Sequence, residues 1–96
     1  MYNLVDIMHL GDVEIVPWIL DKLARHGMWK AKHTSFDNIP KGAPKHLRGK
    51  IKEAAEQLIK DGFIISKPTS YALEVSLNFE RKDEIFEIIE KWKLKK

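Results

Sequence analysis

The sequence predicts an α+β domain, because segments with the spacing of amphipathic helices flank a segment with the spacing of a β-hairpin. Apolar residues recur at helical intervals in three stretches, at about residues 15–26, 44–61 and 81–93. Residues 63–78 instead alternate apolar and polar side chains on either side of a turn. A chain of 96 residues has room for one compact core. We therefore expect a single domain over residues 1–96, with its core at about 12–79.

The first predicted helix covers about residues 15–26. Gly27 follows it as the stop that a helix C-terminus commonly uses. Pro17 has no amide proton and crowds the preceding helical turn, so we expect the regular helix to begin near this residue. Residues 4–8 have the spacing of one earlier amphipathic turn, formed by Leu4, Ile7 and Met8.

A short strand and a short helix are predicted next. Residues 28–34 alternate between the two faces that a strand presents. Thr34 or Ser35 is placed to cap a short helix that ends at Pro40. Residues 41–43 then make a turn that leads into the following helix.

The predicted helix over residues 44–61 has one apolar and one polar face. Pro44 suits its first position, where a missing amide proton costs nothing, and Gly62 suits its stop. The apolar stripe contains Leu47, Ile51, Ala54, Ala55 and Leu58. At about 100° per residue, the opposite face carries Lys45, Gly49, Lys52 and Glu56. We expect this opposite face to be in contact with solvent or a partner.

A β-hairpin and a last amphipathic helix complete the prediction. Residues 63–67 and 71–78 form the hairpin around a Pro68-Thr69-Ser70 turn. Tyr71 begins the apolar side of the later strand, so we expect its ring in the core. The helix over about 81–93 has an apolar stripe of Ile85, Phe86, Ile88, Ile89 and Trp92. That stripe is wide enough to cap the domain's own core or to meet a second copy.

Two segments, HLRGKIKEAAEQLIKDGFI at 46–64 and ISKPTSYALEVSLN at 65–78, carry a resemblance to a known fold family. The segment at 46–64 is similar to a recognition helix that runs into a strand, and the segment at 65–78 is similar to a wing. With the order of the elements before them, they resemble the winged helix-turn-helix over residues 12–79, and small stand-alone archaeal winged-helix proteins in particular. The resemblance implies an α+β winged helix-turn-helix with an additional C-terminal amphipathic helix.

Positive charge is concentrated in the middle third of the chain. Residues 22–52 contain nine Lys or Arg and one Asp, whereas residues 1–21 contain four acids and no Lys or Arg. Residues 53–90 contain nine acids and four bases. A surface that only solubilises a protein usually mixes both signs, so this block favours a polyanionic partner over a solubilising role.

The sharpest group of candidate contacts lies at the start of the helix over 44–61. Arg48 offers a bidentate fork for guanine, Lys45 and Lys52 suit phosphates, and Gly49 lets the backbone approach closely. The alternative is that these bases only solvate the helix, with Gly49 tolerated at about 1 kcal/mol relative to Ala. The expected nucleic-acid contacts are Lys41, Lys45, His46, Arg48, Gly49, Lys52, Lys67, Thr69, Ser70, Lys30 and Lys32.

Several other classes of function have no support in the sequence. There is no cysteine, and the histidines include no i, i+4 pair that suits a metal ion. Neither a phosphate-binding glycine loop nor a nucleophile elbow is present. We expect no enzyme activity, cofactor, metal site or small-molecule ligand. Without a basic leader or a long apolar stretch, the chain is expected to be cytoplasmic and not to contact membranes.

We therefore expect a double-stranded DNA-binding protein that acts as a small transcriptional regulator. Its recognition helix is predicted at about 44–61 and its wing at about 63–78. The alternatives are a winged helix that binds RNA or a ribonucleoprotein, and a protein-interaction module that uses the terminal helix. We also expect a homodimer, whose interface is formed by Ile85, Phe86, Ile89 and Trp92.

Overall fold

The computed structural model describes residues 12–95. This part of the chain contains three α-helices and a three-stranded antiparallel sheet. The helices are α1 (Asp12–Arg25), α2 (Arg48–Lys60) and α3 (Lys82–Leu94). The strands are β1 (Thr34–Ser35), β2 (Ile64–Pro68) and β3 (Leu73–Leu77). The α+β class expected from the sequence is confirmed, and the order of elements is compatible with a winged helix-turn-helix. The helical turn expected at residues 4–8 lies outside the described residues.

The central strand of the sheet is β3, which pairs with β1 on one side and β2 on the other. Ile64 lies opposite Leu77 and Ser66 lies opposite Val75, so the predicted hairpin is confirmed. Ile64, Val75 and Leu77 are buried. One face of the sheet therefore packs into the core, as the alternating pattern predicted.

The prediction of a strand over residues 28–34 is wrong in its extent. Only the end of this segment belongs to β1, and an isolated bridge joins Trp29 to Leu77. Between them, Lys30 has a φ of 55° and the amide of Lys32 donates to the carbonyl of Trp29 at 2.9 Å. The chain turns here, so the alternation of side chains in this segment does not reflect a continuous strand.

Helix α1 begins at Asp12, so the expectation that the regular helix begins near Pro17 is wrong. A proline in this position removes one backbone hydrogen bond within the helix. The buried side chains of Ile15 and Ile19 bracket Pro17, and packing of this kind offsets the loss. The predicted stop is confirmed, because Gly27 has a φ of 69° and the amide of Met28 donates back into the last turn.

The segment between β1 and α2 contains two single turns of 3₁₀ helix. The first is Phe36–Asn38, capped by the Ser35 hydroxyl, which accepts from the Asp37 amide at 3.3 Å. The other is Lys45–Leu47, which leads directly into α2. The short helix expected before Pro40 is confirmed. The long helix expected over 44–61 is confirmed except at its start, because residues 45–47 form a 3₁₀ turn and the α-helix begins at Arg48.

The apolar stripe of α3 packs into the domain's own core. Ile85, Ile89 and Trp92 are buried within one chain, and Phe86 is 44% exposed. The expectation that these four residues present a surface to a second copy is therefore wrong for the three buried ones, since they have no free area to offer. Self-association of the protein stays a prediction.

The Lys22 side chain ties α1 to the segment that precedes α2. Its ammonium group donates to the carbonyl oxygens of Asn38 at 2.8 Å and Ile39 at 3.0 Å, and to that of Lys41. Burial lowers the pKa of Lys22, and the charges of Arg25 and Lys41 lower it further. A cation suits this place, because it adds a charged donor at the C-terminal end of a helical turn, where the Asn38 carbonyl also accepts from the Lys41 amide at 3.3 Å.

Replacement of Lys22 by methionine should destabilise the fold while keeping the apolar stem of the side chain. Three carbonyl oxygens lose a charged donor, and water replaces it only in part because the site is half-buried. We expect the free energy of unfolding to fall by about 1 kcal/mol in urea denaturation. The control is Lys32→Met, which replaces an exposed lysine. Equal stabilities of the two variants would contradict a structural role for Lys22.

Candidate nucleic-acid interface

The polar side of α2 and the turn before it present the sequence-predicted cations to solvent. Leu47, Ile51 and the later apolar residues of the stripe are buried. Helical spacing then directs Lys45, Arg48 and Lys52 outward, and all three are exposed. The structure thus brings together the group of contacts that the helical pattern predicted.

These cations have few acidic partners. Within residues 12–95, no carboxylate lies within ion-pair distance of Lys41, Lys45 or Arg48. Lys52 has one partner, the Asp37 carboxylate at 4.0 Å, and exposed pairs at that distance contribute little. The Arg48 Nε donates to the Ala43 carbonyl at 3.4 Å, which holds the base of the guanidinium. The charge at this end of α2 is therefore open to an anionic partner.

Gly49 lies in the middle of this exposed side. A Cβ atom built there meets no heavy atom within 4 Å. Packing within the protein therefore does not require glycine at this position. The helix backbone is accessible beside Arg48, as close approach to a nucleic acid would need.

The tip of the β2–β3 hairpin, residues 66–72, is largely exposed, and the Thr69 side chain stabilises its turn. The Thr69 hydroxyl donates to the Ala72 carbonyl at 2.8 Å and accepts from the amides of Ala72 and Tyr71. The Thr69 hydroxyl therefore holds the turn, and the expected contact of Thr69 with nucleic acid stays a prediction. Lys67 and Ser70 remain exposed.

Tyr71 is 98% exposed, so its expected place in the core is wrong. The last paired positions of the hairpin are Pro68 and Leu73. Tyr71 lies beyond them in the turn, where the alternation of a strand no longer directs a side chain inward. Sequence reasoning missed this residue because the alternating pattern continues past the end of the strand.

Lys30 and Lys32 are exposed, and Lys30 lies beside the hairpin. The Lys30 ammonium is 3.9 Å from the centre of the Phe79 ring, a cation–π distance. Lys30 also lines a shallow groove with Lys67 and Ile65 on the outer face of the sheet. The structure therefore places Lys30 on the outer face of the sheet, beside the hairpin.

The hairpin and α2 are connected through the first 3₁₀ helix. Ser35 in β1 lies opposite Glu74 in β3, and the 3₁₀ helix Phe36–Asn38 follows directly. Asp37 of that helix is the residue that approaches Lys52. The half of the hairpin nearest its turn, the 3₁₀ helix and the Lys52 side chain of α2 are therefore linked by consecutive contacts.

Comparison with protein-family models, with curated proteins and with solved structures finds no match to this chain. Among the residues that the structure describes, no group of three His, Asp or Glu side chains is placed to hold a metal ion. No helix in the same part of the chain is long and apolar enough to cross a membrane.

Gly49→Ala should stabilise the protein, by up to about 1 kcal/mol, because alanine has the higher helix propensity and its methyl group meets no neighbour. Urea denaturation measures the change. The matched control is Gly62→Ala, where φ is 85° and the added Cβ lies 3.3 Å from Arg81, so this variant should lose stability. A loss of stability in Gly49→Ala would show that Gly49 has a packing role instead.

Proposed function

We propose that this chain is a winged helix-turn-helix domain that binds double-stranded DNA and acts as a small transcriptional regulator. Helix α2 enters the major groove with its first turns, and the β2–β3 hairpin serves as the wing on the flanking backbone. The observation that carries the proposal is the group of exposed cations around the start of α2, among which Lys45 and Arg48 have no carboxylate within ion-pair distance in residues 12–95.

The distribution of charge along α2 supports entry by its N-terminal end. Lys45 lies in the 3₁₀ helix just before α2, Arg48 and Lys52 lie in the first turns of α2, and the exposed acids Glu53 and Glu56 follow. Recognition helices commonly contact base edges with their N-terminal residues. Deeper contact along α2 would bring the two acids against phosphates, so the reading segment is residues 45–52, which form the second 3₁₀ helix and the first turn of α2.

Each cation has a distinct role in this arrangement. Lys45 and Lys52 neutralise phosphates, which adds affinity without sequence preference. Arg48 is held at its Nε by the Ala43 carbonyl, which leaves its terminal nitrogens to form a bidentate pair with guanine. Gly49 allows the backbone between them to come close to the groove.

Lys45→Ala should weaken binding to every duplex DNA sequence alike. Loss of one phosphate contact should also make the slope of log affinity against log salt shallower by about one unit. Fluorescence anisotropy with labelled duplexes over a range of salt concentrations measures both quantities. The control is Lys60→Ala, which removes an exposed lysine from the far end of the same helix and should change little.

A triple variant, Lys45→Glu with Arg48→Glu and Lys52→Glu, tests the helix as a whole. The three side chains are exposed, so we expect the variant to fold and to lose duplex binding. A folded triple variant that binds duplex DNA as tightly as the parent would exclude α2 as the reading helix. Tighter binding of the parent to duplex RNA than to duplex DNA would favour the RNA-binding alternative.

A further inference from the structure

The wing tip presents an aromatic ring that the DNA contacts proposed above do not use. Tyr71 is 98% exposed and Leu94 is 84% exposed. The other large apolar side chains of residues 14–95 are less than half exposed. A fully hydrated ring of this size gains free energy when a partner covers it. The wing tip is therefore a contact point without a partner inside the described chain.

The backbone beneath this ring is held in one conformation. The Thr69 amide donates to the Ala72 carbonyl at 2.9 Å, and the Thr69 hydroxyl accepts from the amides of Tyr71 at 3.3 Å and Ala72 at 3.1 Å. Pro68 restricts the chain on the way into the turn. The backbone of a preorganised turn loses little conformational entropy when the ring that it carries binds a partner.

The charge around the ring favours a nucleic acid as its partner. Residues 66–73 contain Lys67 and no acid. The next residue, Glu74, is engaged by His33, whose Nδ1 lies 3.0 Å from its Oε1. Strand β3 also pairs with β1, which leads into the 3₁₀ helix whose Asp37 approaches Lys52, and Lys67 is the charged residue of the turn segment itself.

We propose that Tyr71 stacks on an unpaired base, so that the protein prefers duplex DNA that contains an unpaired base to an uninterrupted duplex. Aromatic side chains stack on bases of any sequence, because every base has a π-face. In an intact duplex each base is already stacked and paired, and its removal from the stack is costly. An unpaired base avoids that cost. This inference rests on the proposed function, since the cations of α2 supply the duplex affinity.

The test compares binding of one duplex with binding of the same duplex containing a single unpaired base. Labelled DNA and anisotropy at fixed salt give the affinities of the parent, Tyr71→Ala and Tyr71→Phe. We expect the parent to prefer the DNA with the unpaired base by about tenfold, which is 1.4 kcal/mol. Tyr71→Ala should lose this preference, and Tyr71→Phe should keep it because the ring remains. Leu94→Ala, which removes an exposed apolar side chain from α3, is the matched control and should also keep it.

A complementary measurement reports stacking directly. 2-Aminopurine at the unpaired position loses fluorescence when it stacks, so the parent and Tyr71→Phe should quench it and Tyr71→Ala should not. Equal affinity of the parent for both DNAs, or an unchanged preference in Tyr71→Ala, overturns the stacking role while leaving the proposed function intact. Failure of the parent to bind either DNA overturns both.

Discussion

The attachment of the Lys22 ammonium to three carbonyl groups in the segment before α2 is the constraint on which the proposed interface depends. The first 3₁₀ helix, Phe36–Asn38, is a single turn, and so short a helix has little stability of its own. Lys22 holds its C-terminal end, and the Thr34 hydroxyl accepts from the Asn38 amide side chain at 2.7 Å. Ile39, which follows, is buried in the core. Together these contacts position the first 3₁₀ helix and the start of the segment that leads to the second 3₁₀ helix, from which α2 begins.

The two sides of α2 have separate roles. One side buries Ile51, Ala55 and Leu58 against the rest of the domain, and so sets the orientation of the helix. The other side carries the cations and Gly49, which contribute little to packing. Because α3 covers the core with its own apolar stripe, α2 has no need to bury its polar side. Its charge remains available to an anionic partner.

Periodicity was sufficient to predict α2, the hairpin and α3, because each buries one face and the apolar spacing records that face directly. It was insufficient where a backbone turn breaks the pattern. A positive φ at Lys30 ends the expected early strand, and the tight turn at Thr69 places Tyr71 in solvent. The candidate cations on α2 were predicted for the same reason as the helix. Spacing does not record whether an apolar stripe meets its own core or a second chain, so the sequence left both open for α3, and the structure buries Ile85, Ile89 and Trp92 in the domain's own core.

The central claim is that the start of α2 contacts duplex DNA, and amide chemical-shift mapping tests it most directly. ¹⁵N-labelled protein is titrated with a duplex, and the shift of each backbone amide is followed. The account predicts the largest changes in residues 43–52, smaller ones in residues 66–72 at the wing tip, and least change in residues 85–94 of α3. Saturable changes centred on α3, with residues 43–52 unmoved, would contradict it.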